Sequence, residues 1–376
     1  MKKQVTIVGG GVIGLATAWE LAGRGLGVTV LERGAVGRGT SWGAAGILPA
    51  ASRGRTTDAI DELRGLSHQM FPKWTTDLQA ITGIDSEFNR CGGLFLAETA
   101  GEQASLVGMA SYWEDLGIAS ESLSSKALIQ REPALNGWAD RFPDCSAWWV
   151  PDECQIRPPK YLQSLTVACQ IAGVEICENA MVDDVQFEAD KPRVRVNGDW
   201  VSSDMLVLCG GVWTGQISSR LHLESSIVPV RGQMLLLKTD APVVSSVVNV
   251  GHRYVVCRKD GYTLVGSCEE EKGFELGTSD AMLDSLREFA NQLVPALKDA
   301  KQCDSWSGLR PMTFDGFPMI GRLPMSQNVY VAAGHFRSGL HLSPGTAIAV
   351  ADLITGQPAQ VSLDAFRVGK QQSTNS

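Results

Sequence analysis

Runs of apolar residues divide the chain into strand–turn–helix units. Val5, Ile7 and Val8 form a short apolar run, three glycines follow, and an Ala-rich apolar stretch extends from Val12 to Leu21. That pattern predicts a strand, a tight turn and a helix buried nearly all round. Gly23 and Gly25 end the helix, and Val28 to Leu31 predicts a second strand. From Asp58 to Ile81 apolar residues recur at helical spacing (Ile60, Leu63, Leu66, Met70, Trp74, Leu78), giving one long helix or a helix pair. Gly92 to Leu96 and Trp148 to Val150 read as short strands, whereas Gly101 to Asn136 alternates helical patches with polar loops.

Helical spacing returns at Tyr161, Leu162, Leu165, Ala168, Cys169 and Ala172, with Gly173 at the end. Strands are predicted at Val174–Cys177, Met181–Phe187 and Arg193–Val196. The continuous apolar run from Met205 to Cys209, stopped by Gly210-Gly211, reads as a buried parallel strand. Val228–Lys238, Val247–Cys257 and Tyr262–Cys268 follow with no helix between them, which predicts an antiparallel sheet in a different domain. A helix starts with Asp280 as N-cap and stops at Pro295. Val329 to Ala333 is a further buried strand, entering a glycine loop (Gly334 to Gly339), and Pro344 opens a last apolar helix running to Ile354. Two strand–glycine–helix units bracket the chain, so one domain is discontinuous. Its expected parts are 1–84, 151–227 and 306–376, with 85–150 and 228–305 forming the second domain. Gln371 to Ser376 reads as a frayed tail.

Chemistry enters with the first turn. Gly9, Gly11 and Gly14 have the G-x-G-x-x-G spacing, and Glu32 ends the second strand. The glycines permit a tight turn, backbone approach by a pyrophosphate and close helix–strand packing. Unpaired N–H groups at the helix start then face phosphate, and the carboxylate meets a ribose diol. Adenine-dinucleotide binding is the expectation. The loop from Arg33 to Leu48, rich in Gly and small residues, suits close approach by something flat or charged, and Thr40 and Ser41 could donate to phosphate there.

Bulk properties narrow the classes. A length of 376 residues suits two domains, and 44% hydrophobic with 20% charged residues is ordinary for a globular protein. A net charge of −8 and a pI near 5.3 leave no basic stripe for nucleic acid. The nine cysteines show no C-x-x-C; Cys169, Cys177 and Cys209 sit at buried-looking places, as reduced thiols do. Lys2-Lys3, the uncharged run to Trp19 and Ala16-Thr17-Ala18 imitate a signal peptide, but three glycines interrupt the run and cleavage would destroy the nucleotide fingerprint. The expectation is a soluble, cytoplasmic protein without an integral membrane segment, its oligomeric state open.

The motifs together resemble the D-amino-acid-oxidase-like flavoproteins, most closely the glycine oxidases linked to thiamine biosynthesis. The resemblance covers nearly the whole chain. Besides the opening fingerprint it rests on Thr40 to Leu48, Gly92-Gly93-Leu94-Phe95, Gly210-Gly211-Val212-Trp213 and Pro229 to Gln233. Further blocks are Gly266 to Glu269 with Gly273-Phe274, Gly308 to Pro311 with Asp315 to Gly321, and Gly334 to Gly339. It implies an α/β fold: a doubly wound, Rossmann-like FAD-binding domain beside an α+β substrate domain on an antiparallel-rich sheet. The dinucleotide would be FAD, bound non-covalently, since the Arg310 block has no Cys and Cys303 sits earlier.

Cofactor contacts are then expected from Gly9, Gly11, Val12, Ile13 and Gly14, from Glu32 and Arg33, and from Thr40 and Ser41. Ala45, Gly46, Ile47 and Leu48 would lie along the flavin ring, and Val182 would meet adenine through its backbone. Gly210, Gly211 and Trp213 join them, as do His335, Arg337, Ser338, Gly339 and Leu340. The implied substrate is a small amino acid: glycine, sarcosine or a small D-amino acid. Arg310 would bind its carboxylate in a bidentate fork, with Tyr254 as second partner. Arg337 would face substrate or the flavin edge. His252, two residues from Tyr254 on one expected strand, would share its face and line the entrance. No acid or base is assigned, because orientation and charge suffice when hydride passes from Cα to flavin N5. The positive N-terminus of the last helix, around Ser343 to Gly345, would stabilise the reduced flavin. Oxygen would reoxidise it, giving peroxide. Cys257 and Cys268 depart from the family's usual residues and would alter the pocket wall. A D-amino-acid dehydrogenase using a quinone or other acceptor, and a non-catalytic flavoprotein subunit, stay open as alternatives.

Overall fold

The computed structural model describes residues 2–56, 58–143, 146–187 and 191–369; the expected tail at 371–376 and Cys145 lie outside the described residues. β1 (Gln4–Val8) runs into α1 (Val12–Gly23), and β2 (Gly27–Leu31) follows. A short β3 (Ile47–Leu48) precedes α2 (Ala59–Thr82), where the Asp58 carboxylate accepts the Ile60 N–H at 2.9 Å. α2 is a single helix: Pro72 removes one donor, but the buried face of Leu63, Phe71, Trp74 and Leu78 continues through it. Between 101 and 136, where the pattern gives little, the chain builds most of α3 (Ala100–Leu116), then β5 (Glu121–Leu123) and α4 (Ser125–Arg131), after β4 (Gly93–Leu96). α5 (Asn136–Arg141), β6 (Ala147–Val150), β7 (Cys154–Gln155), α6 (Pro158–Ile171) and β8 (Glu175–Cys177) come next. A meander of β9 (Val182–Gln186), β10 (Arg193–Val196) and β11 (Asp199–Ser202) leads to β12 (Met205–Leu208). β13 (Ile227–Lys238), β14 (Val247–Val250), β15 (Arg253–Cys257) and β16 (Tyr262–Gly266) follow, then α7 (Asp280–Leu293) and β17 (Lys301–Thr313). β18 (Met319–Arg322), β19 (Val329–Ala333) and α8 (Gly339–Thr355) finish the regular structure.

Two sheets organise these elements. The first has strand order β18-β19-β12-β1-β2-β8, parallel except for β18. Its side chains alternate between two cores. Val5, Ile7, Val28, Val30 and Val207 join α1, α2, α6 and α8, while Leu206, Leu208, Val329 and Val331 pack under the β9–β10 sheet with Val182, Val185 and Val194. The second sheet has eight strands, β17-β13-β16-β15-β14-β4-β6-β5, antiparallel except where β14 meets β4. Its far face packs on α4, α5 and α7 through Leu128, Trp138, Leu286 and Leu293. Its near face, carrying Met234, Tyr254, Val256 and Leu264, turns toward Ala45 and Ile47. The site lies in that seam.

Four expectations change. The segment Val247–Cys257 is two strands, because Gly251 takes a positive φ of 56° and turns the chain between β14 and β15. Ser279, still extended at φ −121°, is the N-cap of α7; Asp280 is already helical, its carboxylate in the first turn. α8 starts at Gly339, five residues before Pro344. Pro344 is tolerated because the Ser343 hydroxyl donates at 2.8 Å to the Leu340 carbonyl, the acceptor that a proline nitrogen cannot serve. The expected boundary between 305 and 306 falls inside β17, whose pairing with β13 carries the second sheet to Thr313.

Candidate active site

Two cavities meet at the seam. The first, of about 390 Å³, follows the β1–α1 turn, the end of β2, the start of β9 and the β12 and β19 turns. The second, of about 270 Å³, lies between the near face of the large sheet, the 40–49 segment and the start of α8. Thr40, Ala44, Phe336, Arg337 and Leu340 line both, so they form one cleft with two ends.

The first cavity gathers most of the expected cofactor residues: Gly9, Gly11, Val12, Ile13, Glu32, Arg33, Thr40, Ser41 and Val182, with Gly210, Gly211, Trp213, His335, Arg337, Gly339 and Leu340. Ala45, Gly46, Ile47 and Ser338 line the second instead. Gly14 lines neither; its role is contact, since a Cβ there would sit 1.9 Å from the Gly9 carbonyl oxygen. Leu48 is fully buried in the core on the other face of β3.

Several features fit a dinucleotide. α1 has no acidic residue in its first turn and no side-chain cap at Gly11, so its first-turn N–H groups other than that of Val12 are available to an anion. The Ser41 hydroxyl accepts the Val12 N–H at 3.1 Å, placing a donor beside that turn. The Glu32 carboxylate accepts the Gly10 N–H at 2.8 Å and the Gly34 N–H at 3.0 Å, one per oxygen, and each oxygen keeps a lone pair. The Arg33 guanidinium covers the Trp213 ring at 3.6 Å. His335 bonds Thr346 Oγ1 at 3.1 Å, and burial pushes its pKa down to about 3, so the ring is neutral.

The loop that separates the two ends is held from three sides. Thr40 Oγ1 donates to the Leu309 carbonyl at 2.8 Å and Trp306 Nε1 donates to the Gly43 carbonyl at 2.9 Å. Arg258, 3% exposed, donates to the Ala45 carbonyl at 2.5 Å and to Gln155 Oε1 at 2.6 Å. Desolvation lowers the Arg258 pKa to about 10, still ionised at neutral pH. No sequence signal marks Arg258, because its partners come from segments more than 100 residues away.

In the second cavity Arg310 and Tyr254 stand on neighbouring parts of the sheet. Arg310 Nη1 donates to the Cys268 carbonyl at 2.9 Å and Nη2 to Ser267 Oγ at 2.7 Å. Both acceptors are neutral, and among the described residues no ion pair to a carboxylate is found for it. Desolvation, with the neighbouring Arg337 charge, lowers its pKa. Tyr254 Oη donates to Met234 Sδ at 3.3 Å; burial raises its pKa, against the pull of Arg310. Glycines make room for both side chains. A Cβ on Gly232 would lie 2.2 Å from Arg310 Nη2, and one on Gly266 would lie 2.5 Å from Tyr254 Oη. Arg337 is exposed at the rim and pairs with Glu269 at 3.1 Å.

His252 is not in the site. It occupies the exposed turn between β14 and β15, so the argument from strand alternation fails. Cys257 and Cys268 line neither cavity: Cys257 Sγ contacts Thr263 Oγ1 in the far core, and Cys268 offers Arg310 its carbonyl. The N-terminus of α8 nearest the cleft is at Ser338 to Leu340, not Ser343 to Gly345. Asn249 and His341, which no motif singles out, line the second cavity.

Residues 4–353 match the family described as FAD dependent oxidoreductase. The chain belongs to that family. It is 31% identical to a glycine oxidase of Geobacillus kaustophilus over 96% of this chain and 95% of that one. It is 32% identical to a glycine oxidase of Pseudomonas aeruginosa, covering 95% and 96% of the two. The crystal structure of glycine oxidase from Geobacillus kaustophilus superposes with a TM-score of 0.92 at 30% identity, over 99% of this chain and all of that one. The nucleotide of this FAD-dependent oxidoreductase is therefore FAD, and the first cavity has the donors, the bare helix terminus and the carboxylate that fit it. Among the described residues no helix is long and apolar enough to cross a membrane.

Proposed function

We propose that the chain oxidises a small amino acid, of the glycine, sarcosine or small D-amino-acid class, to its imino acid, with oxygen as the acceptor and peroxide as the second product. The observation that carries this reading is Arg310: a half-buried guanidinium in the second cavity whose hydrogen-bond acceptors are two neutral oxygens. A charge placed so calls for an anion, and a substrate carboxylate answers it in a bidentate fork. The glycine oxidases named above, similar over the full length, support the same class.

In this reading the fingerprint turn and Ser41 hold the pyrophosphate, Glu32 the ribose, and the Ala44 to Ile47 segment the flavin ring. FAD, when bound, supplies the hydride acceptor for the substrate Cα–H. The protein's own part is placement. Arg310 and Tyr254 fix the carboxylate, and Arg337 closes the rim beside Glu269. The Arg258 clamp on Ala45 keeps the loop at a set distance from the substrate. The positive charges of Arg310 and Arg337 favour loss of the ammonium proton, since like charge disfavours the charged form. Water is restricted by Met234, Phe336 and Leu340, which line the cavity. The test is a panel of small amino acids offered to the yellow protein in air. Peroxide release with glycine, sarcosine or D-alanine is expected. Reduction of the flavin by these compounds with no peroxide would instead assign a dehydrogenase, and no reduction by any would refute the reading.

A further inference from the structure

A file of buried polar side chains connects the second cavity with the surface. His341, in the first turn of α8, lines the cavity and is 2% exposed. Its Nε2 lies 3.3 Å from Nδ1 of His68 on α2. His68 Nε2 lies 2.9 Å from Oδ2 of Asp152, whose side chain is 35% exposed. Three segments far apart in sequence thus bring two imidazoles and a carboxylate into line.

The contacts determine where the protons sit. Partial burial pushes the Asp152 carboxyl upward, but the His68 bond and the Arg90 charge, 3.0 Å away, together hold it below its ordinary value. An ionised carboxylate only accepts, so His68 carries a proton on Nε2, and in the neutral ring its Nδ1 is then bare. His341 must then carry its proton on Nε2 to meet it, which leaves its own Nδ1 as a lone pair. Burial, reinforced by the Arg64 charge, lowers the His341 pKa well below the ordinary histidine value. Arg64 is itself paired with Asp61 at 2.9 Å. Phe71 packs against the His341 ring, and Tyr161, which contacts Phe71, bonds Ser343 through its hydroxyl. A ring held neutral can take a proton at one nitrogen only as it gives one up at the other.

We propose that His341, His68 and Asp152 form a proton relay between the second cavity and solvent, which takes the proton from a substrate ammonium group. This rests on the amino-acid reading above. One N–H bond of the ammonium breaks and a bond to His341 Nδ1 forms. The Nε2 proton of His341 moves to His68 Nδ1, and the Nε2 proton of His68 moves to Asp152 Oδ2 and on to water. Each electron pair stays on its nitrogen, so no oxidation is involved. The passage leaves both imidazoles in the opposite tautomer. Reduction of oxygen to peroxide by the electrons of one hydride takes up one further proton, and carrying that proton inward restores both rings. The cycle needs one proton out and one in, so a two-way relay closes it.

A metal site at the same place is disfavoured. Cys154 has its sulfur within 4.8 Å of the His68 and Asp152 ligand atoms. But Arg90 already pairs with Asp152, and burial, reinforced by the Asp152 charge, pushes the Cys154 thiol up to about 12.

The experiment has two readouts on the holoprotein. The first is nitrogen-15 NMR of the histidine rings without substrate. The relay requires His68 and His341 both neutral and protonated on Nε2, and an Nδ1-protonated or cationic His341 overturns it whatever the substrate is. The second is anaerobic reduction of the bound flavin by glycine across pH. His68→Gln should slow it on the order of 100-fold at neutral pH, with unchanged glycine affinity. The loss should vanish at alkaline pH, where free amine is already neutral, and added imidazole should restore part of the rate. Asp152→Asn, at the surface end, should act in the same direction. An equal loss at every pH, or none, overturns the relay. If glycine, sarcosine and D-alanine all fail to reduce the wild-type flavin, it is the amino-acid reading that falls, and the tautomers still judge the relay's geometry.

Discussion

At the scale of single residues, charges divide into those whose partners are incomplete and those whose partners are fully specified. Arg310 belongs to the first kind. Arg310→Ala should leave FAD bound, since the residue lines only the second cavity, and should raise KM for the amino acid. Losing charge-assisted hydrogen bonds worth roughly 2–3 kcal/mol predicts a rise on the order of 30- to 150-fold. Steady-state kinetics checks this, and unchanged KM would remove the carboxylate role. Glu270 belongs to the second kind. Its hydrogen bonds to Arg231, 3.1 and 3.2 Å, and the 2.8 Å bond from Gln233 bring its pKa down to about 2. A depressed carboxylate stabilises the fold above its unfolded pKa and loses that stabilisation as pH falls through the folded one. The stability gap between wild type and Glu270→Gln should therefore be constant above about pH 5 and close between about pH 4.5 and pH 2, as urea unfolding at each pH would show. Arg310 was legible because it sits inside the Gly308 to Pro311 block, and Tyr254 only through the family resemblance. Asn249 and His341 were not, because what makes them notable is contact with the cavity, and that is assembled from distant strands and helices.

At the scale of elements, buried polar anchors hold strands and loops where apolar packing alone would leave them free to slide. Glu132, 3% exposed, follows α4 and accepts both the N–H and the hydroxyl of Ser245 and of Ser246, just before β14. Glu132→Ala would strand the buried N–H and hydroxyl of Ser246 and cost about 2–3 kcal/mol, measured as a lower urea midpoint with an unchanged slope. Chain periodicity predicted the parallel strands and α1, α2 and α6, because each has one dominant apolar pattern. It merged β14 with β15, since the two strands are apolar on both sides of a turn made by Gly251 and His252. It also placed the start of α8 at Pro344, because proline usually opens a helix. Here the Ser343 hydroxyl compensates the missing N–H, which a propensity rule does not register.

At the scale of the whole molecule, one cleft runs from the fingerprint turn to Arg310. Cys209 is the one cysteine lining that cleft among the described residues; it lies at the dinucleotide end beside Gly9, and burial pushes its thiol up to about 12. Acid precipitation should therefore leave the yellow colour in the supernatant, and colour in the pellet would mean a covalent bond. The overall α/β plan was legible from the two bracketing strand–glycine–helix units. The continuity of β17 across residues 305 and 306 was not, since a strand thirteen residues long carries no composition change there.

That strand has a mechanical consequence. β17 and β13 pair without a gap from Ile227–Thr313 to Lys238–Lys301, apart from one bulge at Leu236. The ladder is a keel passing under both halves, and Thr40 and Trp306 lash the flavin-side loop to it. A body stiffened in this way cannot open like a jaw. On the proposed reading, substrate enters past the Arg337–Glu269 pair at the rim, a movement of two side chains, so a cross-link locking the halves together is expected to leave turnover intact.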